Sequence, residues 1–299
     1  MTVTPPDADA RERTAERLLK ASAKNSYDPR LDIDWAAAID GDAAFLPVER
    51  VSLYGTGLWD GLSERQRREL SKHELASIAS IGLWTEFVLI QMLARYTYHQ
   101  DPKAAHTQYA LTEIGDETRH VIMFAKALER MGCPTYQPPR VVRQLARLYK
   151  ATARGPSVFA PVLITEEITD RLQRATMNDE SIHPLIRMVN RIHVVEEARH
   201  VRFARDELAR QLPRLGPVKR FVANTVSAIV GAIVMSALVD PAVYASVGLD
   251  PTSAARIARD NPHHQATRRW MAERIMAFLA EQGMVTRYSR PIYRRAHLL

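Results

Sequence analysis

Two tetrapeptides, Glu117-Thr118-Arg119-His120 and Glu197-Ala198-Arg199-His200, decide how this chain is read. Both are Glu-x-x-His, and both continue as His-Val and then Phe-Ala within a few residues. On a helix, positions i and i+3 share one face, so a carboxylate and an imidazole at this spacing can grasp the same metal ion. A random arrangement of this composition gives fewer than one such pair. A third occurrence, Glu180-Ser181-Ile182-His183, lies in a turn before Pro184 and reads as accidental.

A helical bundle that holds two metal ions takes one such pair and one lone inward glutamate from each of its halves. The lone glutamates are present at matched distances. Glu86, within the apolar run Leu83 to Leu89, precedes Glu117 by 31 residues, and Glu167, beside Ile164 and Ile168, precedes Glu197 by 30. The chain therefore carries an internal repeat of 80 to 81 residues. Glu166 fits the first half's offset equally well. The apolar stripe Ile164, Ile168, Leu172 and Ala175 centres nearer Glu167, which is preferred. His193 stands four residues before Glu197 on the same helical stripe, as a third imidazole ligand. The metal-site residues are thus Glu86, Glu117, His120, Glu167 (or Glu166), His193, Glu197 and His200. Burying so many carboxylates without a cation would be prohibitive. Four carboxylates offset two divalent ions, and mixed oxygen and nitrogen donors suit iron or manganese. No separate acid or base is assigned.

Around these residues the periodicity is helical throughout. Capping boxes at Ser63-x-x-Gln66 and Ser71-x-x-Glu74 open a helix that runs to about Tyr98. A second is expected from about Thr107 to Arg130 with Gly132 at its end. A connecting helix follows over about Val141 to Arg154. Bundle-length helices come next from Ser157 to Met177 and from Leu185 to Leu212. An apolar fifth follows over 218–239, with two shorter ones near 252–259 and 265–282. The expectation is an all-α, four-helix bundle with a two-metal core and additional N- and C-terminal helices, forming a single domain over 1–299. Residues 1–25 read as a loosely ordered arm, although Arg11 to Ala23 can form a short helix. Residues 285–299 read as a basic tail.

Composition narrows the classes further. At 299 residues and 46% hydrophobic content the chain can bury a large core, and only 12 glycines interrupt it. The one cysteine, Cys133, excludes an internal disulfide and any thiolate-rich metal site. The opening residues lack the apolar core of a signal peptide, so a cytoplasmic location is expected. Net charge is +7, with Arg287, Arg290, Arg294 and Arg295 clustered late. That cluster reads as a solvated tail, or as a dock for an acidic electron donor or carrier protein. No nucleic-acid-binding motif is present. Phe221 to Val239 is uncharged and nearly long enough to cross a bilayer, but Asn224, Thr225, Ser227 and Ser236 surround it on all sides. It reads as a buried helix of a large helical domain, and no membrane association is expected.

On Glu86, Glu117-x-x-His120, Glu166/Glu167 and His193-x-x-x-Glu197-x-x-His200, the sequence resembles the di-iron arylamine N-oxygenases of the p-aminobenzoate N-oxygenase type, within the ferritin-like superfamily. Tyr27-Asp28-Pro29, Asp32-Ile33-Asp34-Trp35 and the stretch Tyr54 to Trp59 share that likeness, which spans about 25 to 285. The resemblance implies two iron ions, dioxygen as co-substrate through a diferric-peroxo species, and oxidation of an amine nitrogen towards nitroso and nitro. It implies an external electron donor, since no Gly-x-Gly-x-x-Gly fingerprint appears, and a homodimer. The substrate would be a small amine, free or tethered to a carrier. Competing expectations are a di-iron C–H hydroxylase or desaturase, and an iron-binding protein without oxygenase activity.

Overall fold

The computed structural model describes residues 6–39 and 41–299. Its helices in chain order are α1 (Pro6–Lys24), α2 (Pro29–Asp32), α3 (Gly57–Asp60), α4 (Glu64–Thr97), α5 (Ala105–Met131), α6 (Arg140–Thr152), α7 (Pro156–Asn178), α8 (Pro184–Gln211), α9 (Pro217–Ala237), α10 (Pro251–Asp260), α11 (Pro262–Glu281) and α12 (Arg290–Arg295). The only extended pairing among the described residues is an isolated bridge between Ala44 and Ile182. The all-α expectation holds.

Local chemistry explains the boundaries. Ser63 and Gln66 form the reciprocal capping box that starts α4. Ser71, expected to cap a helix, instead lies inside α4, where its hydroxyl donates to Arg68 O and accepts from Phe45 N. Gly132 adopts the left-handed conformation that closes α5. His183, from the accidental third motif, caps α8 by accepting from Leu185 N at 3.2 Å.

The bundle comprises α4, α5, α7 and α8. Short loops join α4 to α5 and α7 to α8, and these two pairs make the most extensive interhelical contacts. The pairs meet through α5 against α8 and α4 against α7. α9 and α11 cover α7 from outside. α9 approaches so closely that a Cβ on Gly231 would stand 3.1 Å from Ile164 Cγ2. Two segments, Glu64–Thr97 and Pro217–Val247, are long and apolar enough to cross a membrane by length and composition. The first is one of the four bundle helices and carries buried Glu74 and Glu86. The second, expected to be buried, leaves Val218, Phe221, Val222 and Ile229 exposed.

Both chain ends differ from expectation. The short helix expected over Arg11 to Ala23 is present within α1, but it is not a loose arm: it packs on α5 and α8. Arg11 reaches Glu207, Tyr96 and the His106 ring, while Glu12 accepts from Ala105 N at 2.7 Å and so satisfies the start of α5. The C-terminal segment is likewise anchored rather than loose. Tyr293, Ala296 and Leu298 are buried, while Arg287, Arg290, Arg294 and Arg295 face solvent.

Candidate metal centre

Four helices each bring acidic or imidazole groups to the bundle's middle. α4 supplies Glu86, α5 supplies Glu117 and His120, α7 supplies Glu166, and α8 supplies His193, Glu197 and His200; every one is buried. Ligand atoms of Glu86, His120, His193 and Glu197 lie within 4.8 Å of one another. A second group, Glu113, Glu117 and His200, meets the same criterion. Carboxylates from both helices intermingle with both imidazoles. His120 Nδ1 is 2.8 Å from Glu117 Oε2 and 3.3 Å from Glu197 Oε1. His200 Nδ1 is 3.0 Å from Glu197 Oε1 and 3.0 Å from Glu117 Oε1.

The opposite edge of each ring points outward to a carboxylate on the other helix. His120 Nε2 lies 2.9 Å from Glu196 Oε2, and His200 Nε2 lies 3.2 Å from Asp116 Oδ2. With Nε2–H donating outward, each Nδ1 presents its lone pair to the centre. His193 is turned the other way. Its Nδ1–H donates to Gln173 Oε1 at 3.0 Å, and Nε2 faces Glu86 Oε1 at 3.3 Å. Asp116 and Glu196 each lie immediately before the glutamate of their motif, and partly exposed Arg119 and buried Arg199 each lie within ion-pair distance of both acids. The true repeat is therefore acid-Glu-x-Arg-His. The acid and the arginine stand at matched positions in both halves of the sequence, a signal that the Glu-x-x-His pattern alone leaves out.

The second-half glutamate must be corrected. Glu167 forms an ion pair with Arg205, whose guanidinium lies 4.5 Å above the Phe278 ring. It thus faces away from the centre. Glu166 is the one that feels the cluster: burial and then the charges of Glu197 and Glu117 push its carboxyl well above the usual range. The apolar stripe misled because α7 is buried on two faces, one towards the site and one towards α9 and α11.

The electrostatics fit a cation. Burial, followed by the charges of Glu117, Glu166 and Glu197, holds Glu86 well above the usual carboxyl range. His193 is lowered to about 4, chiefly by burial, and so remains a neutral imidazole with a free lone pair. Burial opposes charging His120, but the carboxylates of Glu117, Glu196 and Glu197 outweigh it and raise its pKa. Buried oxygens Glu86 Oε2, Glu113 Oε2 and Glu197 Oε2 have no hydrogen-bond partner. Orphaned carboxylate oxygens converging in a dry core are what a metal pair would satisfy.

A cavity of about 40 Å³, lined from α4, α5, α7, α8 and α9, meets this cluster. Ile78, Ile81, Phe124, Leu172 and Val234 line it, and Glu86, Glu166 and His193 form its floor. A neighbouring groove of about 300 Å³, bounded by Trp84, Leu145, Tyr149, Val162 and Ile229, also ends on Glu166. Neither is lined by any lysine or arginine among the described residues.

The family profile described as p-aminobenzoate N-oxygenase AurF matches residues 8–283. Uncharacterized protein Mb0909 of Mycobacterium bovis is 32% identical over 213 residues, and MT0908 of Mycobacterium tuberculosis is 33% identical over 213. Each alignment covers 68% of this chain and 62% of the relative's length.

Proposed function

This chain belongs to the p-aminobenzoate N-oxygenase AurF family, and from that premise we propose that it is a di-iron oxygenase inserting oxygen into an amine nitrogen. The observation that carries this reading is the buried cluster of Glu86, Glu117, His120, His193, Glu197 and His200 with Glu166 beside it, met by an apolar cavity at Glu86, Glu166 and His193. When bound, two irons would supply dioxygen activation, with those seven side chains holding them. The protein's own part is to exclude water, to orient each imidazole through Asp116, Glu196 and Gln173, and to place the amine next to Glu86 and Glu166. In the first turnover, one oxygen atom ends on nitrogen as a hydroxylamine and the other leaves as water. Two electrons and two protons enter from an external donor.

The lining also bears on the substrate. A benzoate carboxylate buried in a cavity without a cation would lose its hydration uncompensated. The preferred substrate is therefore an amine on a neutral, apolar body. Iron-loaded protein, supplied with reductant and ¹⁸O₂, should place label on the nitrogen of a neutral aryl amine more efficiently than on p-aminobenzoate. Label on carbon instead would favour a C–H hydroxylase. A preference for p-aminobenzoate would overturn the cavity argument.

A further inference from the structure

Glu113 lies one helical turn before Glu117 on α5 and is absent from the seven-residue set. It is 2% exposed, and its Oε2 has no hydrogen-bond partner. One of its carboxylate oxygens lies within 4.8 Å of ligand atoms of both Glu117 and His200. Its register is also informative. Glu113 precedes Glu117 by four residues, as His193 precedes Glu197, so the internal repeat pairs these two positions. The pairing is spatial too: His193 lies beside His120, at 4.7 Å between ring centroids, and Glu113 beside His200.

Resting on the di-iron reading, we infer that Glu113 is an eighth metal ligand, completing the ion held by Glu117 and His200 as His193 completes the other. The two halves then differ only in donor type, an imidazole at one end and a carboxylate at the other. Five carboxylates exceed the charge of two ferrous ions by one, so the centre is biased towards the more highly charged ferric state.

The test compares unmodified protein with Glu113→Gln, which keeps the side-chain shape and removes the anionic donor. Iron content, loss of iron to a chelator and the Mössbauer spectrum are read on folded protein. The expected result is that Glu113→Gln releases one of its two irons roughly tenfold or more faster, with spectral change concentrated at one site and a raised reduction potential. Glu113→His, which copies the α8 pattern onto α5, should restore retention. Unmodified protein that binds two irons alongside an unchanged Glu113→Gln would overturn this inference alone. Unmodified protein that binds no iron would overturn the underlying di-iron reading as well.

Discussion

At the scale of single residues, the proposed centre depends on imidazole orientation as much as on its ligands. Asp116 and Glu196 each accept from the outer edge of the opposite helix's histidine, tying α5 to α8 through the site. Outer carboxylates of this kind fix the tautomer and strengthen the ligand, and their loss costs roughly 10–100-fold in metal affinity. Asp116→Asn and Glu196→Gln should each weaken iron retention by that order while leaving helical content unchanged. Competition with a chromophoric chelator measures it, and unchanged retention in both variants would show that these acids do not orient the rings. The Glu-x-x-His spacing was legible because it is local: a repeat of three positions survives without knowledge of the fold. The choice between Glu166 and Glu167 was not. Both are 6% exposed, and only the identity of the helix on each side of α7 tells the glutamate that faces the acidic cluster from the one paired with Arg205.

At the scale of helices, the position of α7 decides where Glu166 lands, and α9 braces it from behind. Gly231 permits that approach, since a Cβ there would meet Ile164 at 3.1 Å and Leu298 at 3.4 Å. Gly231→Val should cost about 1–3 kcal/mol through overpacking. Gly216→Ala, where nothing stands within 4 Å, should be close to neutral. Urea denaturation separates the two, and equal stability would contradict the tight α7–α9 contact. Most helix limits could be read from caps such as Ser63 and Gly132, because capping is chemistry between residues three or four apart. The order of α1 could not. It comes from Arg11 meeting Glu207 and Glu12 meeting Ala105, contacts spanning 196 and 93 residues that leave no local pattern.

At the scale of the molecule, the parts form one construction: two helical hairpins repeat the same donor pattern, pack face to face, and bury it beneath an apolar cavity. The C-terminal anchor of Tyr293 and Leu298 was hidden in the sequence by the arginines around it, whose side chains face outward while those two apolar groups face the core. Everything proposed about dioxygen, amine and reductant rests on metal occupying the buried cluster, so the most direct measurement is iron per chain after ferrous reconstitution. Two irons are expected in the unmodified protein and in Glu167→Gln, with loss in Glu117→Ala, Glu197→Ala and Glu166→Gln. A folded, unmodified protein that retains no iron would contradict the account at its centre.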